Sequence, residues 1–230
     1  MITRKKHYVK RSPSRDARKI YVFCEGKGTE PDYFFFFEGL SSNLQIMVIP
    51  PEDGTDPLKL MDLAKRLLLD KNSRLQIEYN VKDSVWFVID TDTWEKEGKI
   101  SKLREFCLEM NKSMQNGFDE VKPYDAWNVT QSNPSFEIWL YYHFYEEKPD
   151  AEEVEKYNTF KEFVNSSIRG GFDFQQDPVR LRKAILNARD VFFRAPNGSL
   201  AQYSTEVYLL GEEILPFVKR DLERLERMMK

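Results

Sequence analysis

The stretch DSVWFVIDTDTW, residues 83–94, decides the architecture. Its apolar run from Val85 to Ile89 is rich in β-branched and aromatic residues, the pattern of a strand buried on both faces. The run stops abruptly at Asp90, Thr91 and Asp92. Side chains alternate along a strand, so carboxylates two residues apart are expected to point the same way at the strand's mouth. In an open α/β sheet that carboxyl edge is where ligands bind. Two anions held so close raise each other's pKa unless a cation relieves them. One reading is therefore a hard-metal site for Mg²⁺, with Mn²⁺ as a substitute, because Mg²⁺ takes one or two carboxylates plus substrate phosphate. The other is that both acids cap the next helix or sit in a solvated loop.

Upstream, Ile20 to Cys24 reads as a second buried strand, followed by Glu25-Gly26-Lys27-Gly28-Thr29-Glu30-Pro31-Asp32. The two glycines permit a tight turn close to a ligand. Thr29 is expected to cap a helix, with Pro31 in its first turn and Asp32 completing a capping-box variant; the helix should run to about Leu40. Glu25 ends its strand as Asp90 does. Glu30 either serves the helix dipole or faces the site, and Lys27 either neutralises phosphate beside the metal or is simply a loop lysine. A Walker loop is excluded, because GxxxxGK[ST] is absent.

LQIMVI, residues 44–49, makes another strand, and Asp56-Pro57 opens a helix whose Leu60, Leu63, Ala64, Leu67 and Leu68 form a core stripe. A helix from Glu95 to about Gln115 and a strand from Tyr124 to Thr130 follow the central strand. This β-α-β-α-β-α-β order predicts an α/β fold with a mostly parallel sheet of about four strands flanked by helices.

In SNPSFEIWLYYHF, residues 132–144, Asn133 is expected to cap a helix with Phe136, Trp139, Leu140, His143 and Phe144 on one face. His143 there reads as a hydrogen-bonded core residue rather than a ligand. Glu137 lies in the first turn of that helix, at the edge where Glu25 and Asp90 end, as a metal ligand, a general base or a dipole charge. Beyond Tyr145 come an acidic connector and two helices, about 179–194 and 205–228. The expected organisation is a basic arm (1–19), an α/β core (20–147) and a mainly helical C-terminal extension (148–230).

The formal net charge of −3 hides a lopsided distribution. Residues 1–19 carry eight basic side chains against Asp16 alone, a charge of +7 that leaves −10 on the rest. Lys5, Lys6, Arg11 and Arg15 of the arm, with Arg180, Arg182 and Lys183 of the late helices, are candidates for following a nucleic-acid backbone. Their alternatives are a solubilising tail or packing on an acidic patch of the same chain, for the arm, and a solvated charged face, for the helix. Two cysteines without a signal peptide predict a reducing, cytoplasmic setting. No run approaches the ~18 apolar residues of a membrane span.

CEGKGTEPDYF (24–34), VWFVIDTD (85–92) and SNPSFEIWLYYHF (132–144), in this order, closely resemble the RloB-like family, which includes the AbiLii abortive-infection protein. RSPSR (11–15), GTDP (54–57) and STEVYLLGEEI (204–214) fit as well, so the resemblance covers nearly the whole chain. It implies a Toprim-type (topoisomerase-primase) domain, in which a glutamate after the first strand and a DxD after a later one bind divalent metal for phosphodiester chemistry. By position these are Glu25, Asp90 and Asp92. Toprim nucleases of the OLD type use further acids and a lysine, places for which Glu137, Glu30 and Lys27 are candidates. The resemblance also implies a role in bacterial anti-phage defence beside an ATPase of the RloA or AbiLi kind.

The expected activity is thus metal-dependent hydrolysis of DNA or RNA. Two alternatives stand beside it. IDTDT resembles the DxDxT of haloacid-dehalogenase phosphatases, but theirs lies on the first strand and is followed by Thr or Val, whereas here the strand is the third and Trp94 follows. The chain could instead be a non-catalytic regulatory or sensor partner of a defence ATPase, its carboxylates binding metal only structurally.

Overall fold

The computed structural model describes residues 10–52, 54–115 and 123–229. Four parallel strands, β1 (Arg18–Cys24), β2 (Leu44–Ile49), β3 (Ser84–Asp90) and β4 (Trp127–Asn133), form the sheet with a short β5 (Ser204–Thr205). Their order is β2-β1-β3-β4-β5, so β1 and β3 lie inside, and β5 runs antiparallel to β4. The expected α/β sheet is present with this one addition. At two residues β5 is too short to leave a periodic signal.

Alternation along the strands sorts the two faces. Tyr21, Phe23, Val85, Phe87, Ile89, Trp127 and Val129 pack against α2 (Pro57–Ala64) and α3 (Lys99–Gln115). Ile20, Val22, Cys24, Ile46, Trp86 and Val88 face the opposite way. They meet α1 (Thr29–Phe35), α4 (Glu137–Tyr141), α6 (Phe160–Ser167), α7 (Leu181–Asp190) and α8 (Val207–Met229); the four-residue α5 (Ala151–Val154) lies on the connector. His143 is buried in this layer, with Nδ1 3.0 Å from the Trp139 carbonyl and Nε2 3.1 Å from the Tyr33 hydroxyl. The carbonyl can only accept, so Nδ1 carries the proton and Nε2 accepts from Tyr33. Burial lowers its pKa to about 3, and it is a neutral core residue, as its helical face predicts.

Several boundaries differ from the sequence expectation. The fourth strand is later than 124–130, because the ladder continues through buried Gln131 and Ser132. Ser132 Oγ pairs with Thr205 Oγ1 at 2.8 Å, and Glu206 exchanges backbone and carboxylate bonds with Gln131, so partners distant in sequence satisfy these polar groups. Asn133 stays in the strand, with Nδ2 donating to the Leu200 carbonyl, and is not a helix cap. α1 ends at Phe35 and continues to Leu40 as tight turns. α3 starts at Lys99 rather than Glu95, after Gly98 at φ +67°. Asp56 does cap α2, accepting from the Leu58 N–H at 2.8 Å. Among the described residues, no helix is long and apolar enough to cross a membrane.

Glu213 locks α8 onto the sheet from below. Its carboxylate accepts from Arg18 at 2.7 Å, from Trp86 Nε1 at 3.1 Å and from the Ser84 hydroxyl. Removing it strands three donors in a half-buried place. Glu213→Ala is expected to cost about 2–4 kcal/mol, with Glu213→Gln milder. Urea unfolding followed by circular dichroism measures both; an alanine variant as stable as wild type would remove this lock from the account.

Candidate active site

The carboxyl edges of β1, β3 and β4 bring four acids together. Glu25 lies one residue past β1, its N–H still in the ladder to the Val88 carbonyl at 3.0 Å. Its Oε2 accepts from the Asp90 N–H and its Oε1 from Trp94 Nε1, both at 2.8 Å. The side chain thereby ties the mouth of β1 to the mouth of β3. Burial pushes its pKa up to about 7 against the pull of these two bonds, and the charges of Glu30 and Asp92 add to the rise.

Asp90 is the last residue of β3, with the Phe136 backbone acting to lower its pKa. It is held well above the usual carboxylate range, by desolvation first and then by the charges of Glu25, Glu30 and Glu137. Glu30 is buried in the first turn of α1 and folds back to accept from the Gly26 N–H at 2.9 Å. Burial raises its pKa too; Glu137 adds to the rise and Lys161 opposes it. Glu137, buried at the start of α4, accepts from Ser135 Oγ at 2.6 Å. Its other oxygen lies 3.6 Å from the ammonium of Lys161.

Two local expectations change. A Cβ on Gly26 would sit 2.3 Å from Glu30 Oε2, so what approaches this glycine is the carboxylate of its own chain. The cap position of α1 is Gly28, without a side-chain bond, while Thr29 Oγ1 lies 3.3 Å from Lys161 Nζ. The strand alternation that would align Asp90 with Asp92 ends at Asp90. Asp92 follows in a turn at φ +30°, exposed, with its charge bearing on Glu25.

Among the described residues, no group of three or more His, Cys, Asp or Glu side chains is arranged to hold a metal ion. The donor set nevertheless fits a hard cation. It is all oxygen, three members are desolvated, and its anions outnumber the facing cations. Mg²⁺ keeps several waters and needs only one or two carboxylates from the protein, which an open cluster supplies. Glu25, Asp90, Glu30 and Glu137 make up this acidic cluster, with Asp92 at its rim.

The basic candidates lie elsewhere. Lys27 is exposed on its turn and makes no hydrogen bond or ion pair among the described residues. Lys5 and Lys6 lie outside the described residues. Arg11 forks onto Asp221 at 3.0 and 3.4 Å, and Lys10 pairs with Glu38 at 3.3 Å, so this part of the arm packs on acidic groups of its own chain. Arg15 is exposed, its charge reaching Glu78. At the start of α7, Arg180 stacks over Phe144 at 4.6 Å, Lys183 lies 3.5 Å from Glu146, and Arg182 is exposed.

Sequence reasoning missed Trp94, Ser135 and Lys161. The Ser135-x-Glu137 spacing was a local signal for the second. Trp94 and Lys161 had none: Trp94 follows the strand in a turn, and Lys161 comes from α6, whose position against the cluster is set only by tertiary packing.

The family model for RloB-like proteins matches residues 20–214. The chain belongs to the RloB-like family. Its matched region runs from β1 into α8 and includes all four clustered acids and Lys161. No curated protein and no solved structure matches the chain.

The raised pKa of Glu25 makes a pH-dependent difference in this RloB-like chain. The folded state holds the Glu25 proton more tightly than the unfolded chain, whose value is near 4.5. Stability from this group is full below about pH 4.5 and is lost as pH rises through about 7. Glu25→Gln, which cannot ionise, is expected to match wild type near pH 5 and to melt a few degrees higher at pH 8 in EDTA. Melting curves across that range check this; a constant offset at every pH would refute it.

Proposed function

We propose that this RloB-like chain is a Toprim-type, Mg²⁺-dependent nuclease that hydrolyses phosphodiester bonds of DNA or RNA. The observation that carries the reading is the convergence of Glu25, Glu30, Asp90 and Glu137 at the carboxyl edge of a parallel sheet, with one lysine to balance them. A structural role does not require so many buried acids in one place, whereas binding a cation uses them.

Glu25 and Asp90, with Asp92 and Glu137 beside them, would hold the cation. When bound, the metal supplies an acidified water and charge stabilisation at the scissile phosphate. The chain's own part is positional. Trp94 and the Asp90 N–H fix the orientation of Glu25. Glu137, held by Ser135, would serve as general base toward the attacking water. Membership of the RloB-like family supports a defence-related role, and we place the nuclease beside an ATPase partner of the RloA or AbiLi kind in a cytoplasmic setting.

One observation favours a second reading. Among the described residues, no group of three or more His, Cys, Asp or Glu is arranged to hold a metal ion, which suits a regulatory or sensor partner that does not cut. Cleavage separates the two. Wild type, Asp90→Asn and Glu137→Gln are offered plasmid, single-stranded DNA, tRNA and synthetic RNA with Mg²⁺, Mn²⁺ or EDTA. The panel is then repeated with the partner ATPase and ATP. Metal-dependent cutting that falls about 100-fold or more in both variants is the expected result. Silence of wild type under every condition would leave the regulatory reading.

A further inference from the structure

Lys161 reaches the acid cluster from α6, whereas the carboxylates come from the strand ends, α1 and α4. Its ammonium lies 3.6 Å from Glu137 Oε1 and 3.3 Å from Thr29 Oγ1, and its charge also acts on Glu30. Among the described residues, no other ion pair reaches Glu25, Glu30, Asp90 or Glu137. The Lys161 side chain is 60% exposed, while that of Glu137 is only 11% exposed. A hydrated ammonium on a flexible four-carbon stem leaves such a contact at little cost.

The helix that carries it is anchored without it. Thr159 caps α6 through the Glu162 N–H at 3.1 Å, and Phe163 and Val164 are buried, with Phe163 against the ring of Tyr141. The lysine is therefore a movable charge on a fixed support.

We infer that Lys161 is the internal counter-ion of the carboxylate cluster: it stands in for a divalent cation and leaves Glu137 when one binds. This rests on the metal-binding reading above. One ammonium offsets a single negative charge in a group of four acids, so a dication neutralises the cluster more fully. The two cations repel across the same carboxylates, so they compete. Lys161 then weakens metal binding.

The test is calorimetric titration of the EDTA-stripped full chain with Mn²⁺ and with Mg²⁺. Wild type is compared with Lys161→Met, Lys161→Gln, Lys161→Arg, Lys156→Met and Asp90→Asn, each checked for folding by circular dichroism. Lys161→Met and Lys161→Gln are expected to bind about fivefold more tightly, the order for removing one partly solvated charge beside a dication. Lys161→Arg and Lys156→Met should stay at the wild-type value, and Asp90→Asn should lose the metal. Equal or weaker binding by the neutral Lys161 variants, or equal tightening in Lys156→Met, overturns the counter-ion role while metal lost in Asp90→Asn keeps the metal reading. Absence of binding in wild type and all Lys161 variants overturns both.

Discussion

Anions gathered at one sheet edge with fewer cations than they need are the constraint on which the site depends. Glu25 shows how the fold tolerates this. Its carboxylate accepts from the Asp90 N–H and from Trp94, so part of its charge is met by oriented donors rather than by a counter-ion. Glu30 is met in the same way by the Gly26 N–H. These donors hold the acids in place and pull their pKa values down, but burial outweighs them, so the values stay raised. The cluster is consequently stable enough to exist and electrostatically unfinished, a combination that suits cation binding.

The C-terminal helices brace that arrangement from two sides. Glu213 of α8 binds Arg18, Ser84 and Trp86 at the amino ends of β1 and β3, opposite the site. At the carboxyl edge, Glu206 takes Arg104, Arg194 and the Gln131 N–H, while Gln131 reaches on to Thr91 beside Asp90. A buried carboxylate flanked by two guanidinium groups holds β4 and β5 in register where the last strand is only two residues long. The positions of the catalytic candidates therefore depend on segments far beyond the strands that carry them.

The basic groups divide into those already engaged and those that are not. Arg11, Arg18 and Arg194 are held in ion pairs by Asp221, Glu213 and Glu206, and so serve the fold. Arg182 and Lys27 are exposed on opposite parts of the chain order and remain available to a polyanion. Lys161 sits between these classes, paired yet mostly solvated, which gives it a place in the electrostatics of the site that neither class has.

The strands, the helix stripes and the acids at the strand ends were legible in the sequence, because buried segments must be apolar at a regular period and the period breaks where a site begins. Val85–Ile89 ending in Asp90, and Ile20–Cys24 ending in Glu25, carry that signal outright, and the α/β class follows from their order. The end of β4 was not legible, since Gln131 and Ser132 look like loop residues until Glu206 and Thr205 supply their partners. Nor was the turn that carries Asp92 away from the alignment expected with Asp90, because a strand's period says nothing about the backbone past its last residue. Trp94 and Lys161 join the cluster only through tertiary contact. Local sequence determined which residues could be buried or charged; the packing of α4, α6 and α8 on one sheet face decided which charges meet, because electrostatic partners are set by distance in space and leave no periodic trace along the chain.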